Sequence, residues 1–153
     1  METLERLLAE HPFFKGLEER HLRLLAGCGS NVRFEAGQYL FRQGERADNF
    51  YILRHGRVAI EIHDQQRGAV ILQTVGEGDA VGWSWLVPPH RWMFDGRAVE
   101  PTRAVALDGA CLRRKCDEDH DLGYALLKRF SRVIAERLEA ARLQLINIHG
   151  PLG

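Results

Sequence analysis

The feature that most constrains the fold is a run of short, strand-like segments between residues 30 and 112. Apolar and polar residues alternate in stretches such as QYLF, FYILRHGRVAIEI and AVILQTV, and glycine-containing turns separate these stretches. A period of two is typical of strands that are buried on one face. Many short strands at close spacing, with no helices between them, favour an antiparallel sheet that closes on itself. We therefore expect an α+β protein built on an antiparallel β jelly roll.

Helical patterns flank this region on both sides. Leucines recur at helical spacing over the N-terminal part of the chain, and a His-Pro break divides them into two short helices. Near the C-terminus a long stretch without proline follows an acidic cluster that suits a helix N-terminus. The length fits one domain with one core. We expect a single domain over residues 1–153, with N-terminal helices (1–29), a jelly roll (30–112) and a C-terminal dimerisation helix (117–149).

The C-terminal helix carries two apolar faces. One face recurs at alternating steps of four and three residues, the spacing of an a/d seam in a coiled coil. Its members are Leu127, Ser131, Ile134, Leu138, Ala141, Leu145 and Ile148. Leu126, Phe130 and Val133 form the second face, so we expect one face to pack on the jelly roll and the other on a second copy, with Leu127, Ile134, Leu138, Ala141 and Leu145 as the dimer interface. The alternative is one broad stripe that lies on the protein's own barrel.

Charge and cysteine content indicate the setting of the protein. Basic and acidic side chains number 21 each, so the net charge gives no general attraction to nucleic acid or to an anionic membrane. No apolar run reaches the roughly 18 residues of a membrane span, and the charged N-terminus does not fit a secretory signal. Three cysteines, an odd number, argue against a disulfide framework. We expect a cytoplasmic protein with reduced thiols.

Two segments, HPFFKGLEERHLRLLAGC and FEAGQYLFRQGERADNFYILRHGRVAI, carry a resemblance to a known family. They resemble the opening of a cyclic-nucleotide-binding domain of the type found in the catabolite activator and in the regulatory subunit of protein kinase A. The matching residues are Gly37, Leu40, Phe41, Gly44, Ala47, Phe50, Tyr51, Ile52, Gly56 and Val58. GEGDAVG at residues 76–82 continues the match into the phosphate-binding cassette, and the last helix resembles the family's dimerisation helix. The resemblance implies a ligand-sensing or regulatory module, not an enzyme.

The cassette loop, residues 76–98, departs from the family at its two charged contacts. The resemblance implies a glutamate after Gly82 that accepts from the ribose hydroxyl, and an arginine that binds the cyclic phosphate. These positions hold Trp83 and Trp92 here, and Arg91 lies one residue before the second. An indole offers an apolar face and one N–H donor, but it cannot accept from a hydroxyl or neutralise a phosphate. We therefore expect weak or altered nucleotide specificity.

Two interpretations of this loop stay open. In the first, the indoles fill a collapsed pocket and the domain is a ligand-free scaffold. In the second, the pocket takes a cyclic nucleotide or another small, flat, anionic ligand, for which stacking on an indole is suited. The candidate ligand-binding residues are Gly82, Trp83, Ser84, Trp85, Arg91, Trp92 and Arg97. Since adjacent side chains of an extended segment point to opposite faces, only one of Arg91 and Trp92 faces inward, and the register favours Trp92.

The alternative function is a small β-barrel metalloprotein or enzyme of the cupin type, because cupins are also jelly rolls. Cupins resemble one another in a His-x-His pair followed by glutamate, and no such pair occurs here; His55 and His63 lie eight residues apart. Cys111, Cys116 and His120 could meet near the start of the last helix. Reduced thiols without a metal are the expectation for them.

The end of the chain bears on its partners. A transcription factor of this family carries a helix-turn-helix domain after the long helix, whereas this sequence ends at Gly153. Without a recognition helix or a basic cluster, we expect no DNA binding, and we expect no membrane binding. The expected protein is a stand-alone sensing module that forms a homodimer and acts on a regulated protein partner.

Overall fold

A computed structural model describes residues 3–149, apart from the side chains at positions 148 and 149. The expectations for residues 1, 2 and 150–153, and for the Ile148 side chain, lie outside the described residues. Within this range the helices are α1 (Leu4–Glu10), a 3-10 helix (Pro12–Phe14), α2 (Glu19–Ala26), α3 (Gly109–Glu118) and α4 (His120–His149). The strands are β1 (Gly29–Phe34), β2 (Tyr39–Phe41), β3 (Asn49–His55), β4 (Arg57–Asp64), β5 (Gly68–Gly76), β6 (Ala80–Val81), β7 (Asp95–Ala98) and β8 (Thr102–Asp108).

The strands form two antiparallel four-stranded sheets. Their orders are β1-β8-β3-β6 and β2-β7-β4-β5. The β4–β5 hairpin closes where Asp64 pairs with Gly68, across the polar turn in IHDQQRGA. The jelly roll and its flanking helices are therefore confirmed.

Strand β3 separates two hydrophobic cores. Its side chains alternate, so that Phe50 and Ile52 face the helices, whereas Tyr51 and Leu53 face the interior of the jelly roll. All four are nearly or completely buried. The helix-side core also contains Leu8 of α1, and the two cores together position the elements around the site described below.

His11 joins the N-terminal helices to β3. Its side chain is 6% exposed, Nδ1 accepts a hydrogen bond from the Phe13 N–H, and Nε2 lies 2.8 Å from the Leu53 carbonyl oxygen. Because Nδ1 accepts, Nε2 carries the proton and donates to Leu53. Burial lowers the pKa of His11 from its ordinary value, and the Leu53 hydrogen bond only partly opposes this. The imidazole is therefore held neutral.

The helical region near the C-terminus begins earlier than expected and is divided. We expected a jelly roll to residue 112 and one helix over 117–149, but β8 ends at Asp108 and α3 follows directly. The Asp108 carboxylate accepts from the Cys111 N–H and caps α3. Asp119 has extended backbone angles between the two helices, and its carboxylate accepts from the Leu122 N–H at the start of α4. The two capping carboxylates therefore mark the starts of two helices, α3 and α4, where the periodicity predicts a single helix.

Helix α4 has the two faces that its periodicity predicts. Leu126, Phe130 and Val133 are at most 7% exposed and pack in the helix-side core. On the other face Leu127 and Leu138 are 53% and 70% exposed. A single stripe packed on the protein's own barrel is therefore wrong. Between residues 3 and 149, no helix combines the length and apolarity needed to cross a membrane.

The expectation of reduced thiols is wrong for two of the three cysteines. Cys28, at the end of α2, forms a disulfide with Cys111 in the first turn of α3, across 83 residues of sequence. Cys116 is free and half-buried, and burial raises the pKa of its thiol to about 11. An odd count leaves one cysteine unpaired without preventing a pair between the others. The argument from reduced thiols for a cytoplasmic location therefore no longer holds.

Loss of the disulfide should destabilise the protein. A cross-link that closes a loop of this length restricts the unfolded chain, so we expect Cys28→Ser to lower the free energy of unfolding by roughly 2–4 kcal/mol. Urea denaturation of oxidised protein measures this, with Cys116→Ser as the control that keeps the bridge. A reductant should shift the parent midpoint and leave the Cys28→Ser midpoint unchanged. A parent midpoint that reductant does not move would contradict the pairing.

The buried His11 should make stability depend on pH. Its pKa is lowered in the folded state, so the unfolded chain binds a proton more readily. The contribution of His11 is therefore present above its ordinary pKa of 6.5 and is lost as pH falls below that value. We expect His11→Gln to flatten the fall in the free energy of unfolding between pH 7 and pH 5, measured by denaturant titration. Identical slopes in the two proteins would refute this.

Candidate ligand-binding site

The candidate site is built on the loop between β6 and β7, residues 82–94. Gly82 begins the loop with a φ of +101°, a conformation that glycine adopts without strain. A Cβ atom at this position would lie 2.5 Å from Cζ3 of Trp92. Backbone angle and available space both require glycine here, and its absence of a side chain lets the Trp92 ring pack against the start of the loop.

Trp92 faces inward, as the register of its segment predicts. Its side chain is 6% exposed and stacks on Phe41 of β2, with ring centroids 3.7 Å apart and the planes 13° from parallel. The backbone N–H of Trp92 donates to the Glu45 carbonyl, and the backbone carbonyl of Trp92 accepts from the Gly44 N–H, each at 2.9 Å. The indole is thus fixed both by its ring and by its backbone.

Little space remains between Trp92 and the first residues of the loop, Gly82 to Ser84. The cassette cavity, as we call it, has a volume of about 10 Å³, and its lining consists of Phe41, Ile60, Val81, Gly82, Trp83, Ser84, Trp92, Phe94 and Arg137. A water molecule needs at least about 10–15 Å³ of such space. Half-buried Trp83 covers one side and meets Phe94 edge-to-face at 5.5 Å. A ligand can enter only if an indole moves.

Trp85 belongs to the other core. Its side chain is completely buried, stacks on Phe50 at 5.7 Å and meets Phe130 of α4 edge-on at 5.3 Å. Its carbonyl accepts a hydrogen bond from Arg113 of α3. The predicted ligand-binding role of the Trp85 side chain does not fit this position, because the ring packs in the helix-side core and does not line the cassette loop's inner side.

The two arginines that we expected to face a ligand are engaged elsewhere. Arg91 is exposed, and its guanidinium donates to the Gly44 carbonyl at 2.9 Å on the outer side of the loop. Arg97 forms a two-pronged ion pair with Glu61, with both N–O distances at 3.1 Å. The Glu61 side chain is almost completely buried, and its hydrogen bond raises the pKa of Arg97. Neither arginine lines the cassette cavity.

Sequence reasoning missed Arg137, the arginine that does line this cavity. It projects from α4 and is 4% exposed, and its guanidinium donates to the Gln73 side-chain oxygen at 2.7 Å and to the Ala80 carbonyl at 3.1 Å. Burial lowers its pKa from the ordinary value. Its spacing of four residues from Val133 was the available signal, since it extends the buried stripe of α4.

The metal and cupin alternatives find no support at the positions considered for them. His55 and His63 are exposed. Cys111 is bonded to Cys28 and so offers no thiolate. Among residues 3–149, no group of three or more histidine, cysteine, aspartate or glutamate side chains could hold a metal ion.

Comparisons with known proteins agree with this architecture. The model of the cyclic nucleotide-binding domain family matches residues 31–119. A CRP-like cAMP-activated global transcriptional regulator from Mycobacterium tuberculosis is 26% identical over 145 residues, which cover 95% of this chain and 63% of that protein. The chain thus spans less than two thirds of that relative's length.

Two solved structures extend the comparison. A protein from Geobacter metallireducens described as cyclic nucleotide-binding has a TM-score of 0.78 and 28% identity, over 90% of this chain and 99% of that one. A mutant regulatory subunit of a cAMP-independent protein kinase A from Trypanosoma brucei, bound to cAMP, has a TM-score of 0.76 and 25% identity, over 94% and 50%. Together with the paired sheets and the loop that begins at Gly82, these matches show that the chain belongs to the cyclic nucleotide-binding domain family.

Proposed function

We propose that this chain is a regulatory module in which Trp92 occupies the place of the nucleotide, so that cyclic AMP and cyclic GMP bind weakly. The single observation that carries this proposal is the stack of Trp92 on Phe41 beside a cavity of about 10 Å³. The module acts on a regulated partner and catalyses no reaction.

The energetic argument concerns the two charged contacts that the resemblance implies for this family. Trp83 and Trp92 stand at the positions of the carboxylate and the guanidinium. Loss of an acceptor for a buried hydroxyl costs about 1–3 kcal/mol, and loss of a charge-assisted phosphate contact costs at least as much. Displacing the Trp92 ring adds a further cost, since an aromatic stack contributes about 0.5–1.5 kcal/mol beyond its buried area. Cyclic AMP affinity should therefore be no better than tens of micromolar, about 6 kcal/mol.

The ligand that best fits this site is flat and carries an anion. Its ring would replace the indole of Trp92 on Phe41, and its anionic end would meet Arg137, the cation that lines the cassette cavity. Arg137 has no carboxylate within 4 Å among the described residues, so an anion would compensate its buried charge. The second interpretation of the loop, a remodelled pocket, thus requires the Trp92 side chain to act as a displaceable plug.

Restoring the two charged residues should restore nucleotide binding. We expect the parent to bind cyclic AMP no more tightly than tens of micromolar, and Trp83→Glu with Trp92→Arg to bind it at least tenfold more tightly, measured by titration calorimetry. Without ligand the new arginine lies near Arg137, so cyclic AMP should also raise the Tm of the double variant.

Trp83→Phe with Trp92→Phe is the matched control, because it empties part of the cavity without adding charge. Submicromolar binding of cyclic AMP by the parent would overturn the proposal. A double variant no better than the phenylalanine control would mean that the loop backbone no longer offers a nucleotide site.

We further propose that the module is a homodimer held by α4. Leu127, Leu138 and Leu145 are 53%, 70% and 58% exposed, and Ile134 and Ala141 between them are half-buried. An adjoining face of the helix, formed by Leu126, Phe130 and Val133, is already packed in the helix-side core. A second copy of the same helix is the occupant that fits, since the exposed leucines repeat with the a/d spacing of a coiled coil.

A charge in this seam should separate the protomers. Leu138→Glu places two carboxylates in an apolar interface, a loss of several kcal/mol, while the high exposure of Leu138 leaves the fold of each protomer intact. Sedimentation velocity should show a dimer for the parent and a monomer for the variant. Leu143→Glu is the matched control, because Leu143 is 50% exposed and lies on the side of α4 away from the seam. Equal sedimentation of parent and Leu138→Glu would rule out the interface.

A further inference from the structure

A second cavity lies on the opposite side of Arg137 from the indoles. It has a volume of about 190 Å³ and is enclosed by the 3-10 helix, the turn between β5 and β6, and α4. Three of its lining side chains are arginines, Arg129, Arg132 and Arg137, and we call it the arginine pocket. Arg137 is the only residue that it shares with the cassette cavity.

The guanidinium of Arg129 forms a fixed wall of this pocket. It donates to the carbonyl oxygens of Phe13, Lys15 and Ala125 at 2.9, 2.8 and 3.0 Å. The first two bonds connect α4 to the middle of the 3-10 helix and to the residue that follows its end. Every acceptor is a neutral carbonyl, so the positive charge of Arg129 has no counterion in these contacts.

Arg137 contributes a buried cation whose N–H donors outnumber their acceptors. A guanidinium has five N–H donors, and the described residues provide two acceptors for it, both neutral: the Gln73 side chain and the Ala80 carbonyl. Its side chain is almost completely buried. A buried guanidinium without a paired carboxylate is unfavourable unless a ligand supplies the negative charge.

Arg132 is the third arginine of the pocket and lies on the exposed side of α4. Within the part of the chain that the structure describes, the guanidinium of Arg132 has no hydrogen bond or ion pair. Two carboxylates, Asp79 and Glu136, also line the pocket, and Asp79 accepts from the Gly76 N–H at 2.9 Å. Three guanidinium groups against two carboxylates leave the pocket positive.

We propose that the arginine pocket binds a phosphate group, either as the free ion or as the ester of a short organic body, between Arg132 and Arg137. The planar fork of arginine matches phosphate oxygens. A volume of about 190 Å³ is below the roughly 300–1,000 Å³ typical of pockets for larger ligands. The bound ion would tie α4 to the jelly roll and the N-terminal helices. This site goes beyond the proposed function, and Arg137 is the one residue that it shares with the cassette cavity.

The test is calorimetric titration of the full chain with inorganic phosphate, and separately with glycerol 3-phosphate, at constant ionic strength. We expect saturable binding of one ion per chain. Arg132→Gln should weaken it about tenfold, the effect of losing one charge-assisted hydrogen bond. Glu136→Gln should tighten it, because it removes a negative charge from the pocket. Arg142→Gln is the control on the same helix, since Arg142 is exposed, pairs with Glu139 and does not line the pocket.

The two substitutions in the pocket should change the phosphate affinity in opposite directions, which a general loss of stability would not produce. Equal phosphate affinity in the parent and in Arg132→Gln, or no saturable binding at millimolar phosphate, would overturn the proposal. Tighter binding of glycerol 3-phosphate than of phosphate would support it and identify an ester as the ligand; equal binding would support it and identify the free ion. Arg132 lines the arginine pocket and not the cassette cavity, so its substitution should leave cyclic AMP binding unchanged and the two proposals can fail separately.

Discussion

The stack of Trp92 on Phe41 is the contact on which the arrangement of the site depends. It lies on the interior side of the jelly roll, whereas Trp85 of the same loop stacks on Phe50 on the helix side. Alternation along β3 creates these two sides, and the loop crosses between them. Two of the three tryptophans in this short loop thus have a structural reason, because Trp85 and Trp92 contribute one large ring to each core.

The same loop is connected to the helices by polar contacts. The Trp85 carbonyl accepts from Arg113 of α3, and Arg137 of α4 donates to the Ala80 carbonyl just before the loop begins. A displacement of Trp92 by a ligand would therefore move groups that contact α3 and α4. The same N-terminal turn of α3 is also held by the disulfide, which joins Cys111 to Cys28 just after α2.

Much of this could be predicted because the signals are local. The period of two gave the jelly roll, the glycine spacing gave the family, and the repeat along α4 gave one buried and one exposed face. The inward orientation of Trp92 followed from its register in an extended segment. The sequence did not show which of the predicted ligand-binding residues line the cavity. Arg97, for example, pairs with Glu61 on β4, which lies 36 residues earlier in the sequence. Such pairing leaves no periodic signal near either residue.

By itself, the sequence determined the class of fold, the approximate limits of its elements and the family to which the chain belongs. Only the tertiary structure decided that the indole of Trp92 stacks on Phe41, that Cys28 and Cys111 form a disulfide, and that Arg137 is a buried cation. The physical reason is the range of the interactions. Strand and helix periods arise from residues a few positions apart, whereas volume, disulfide distance and charge pairing depend on groups that only folding brings together.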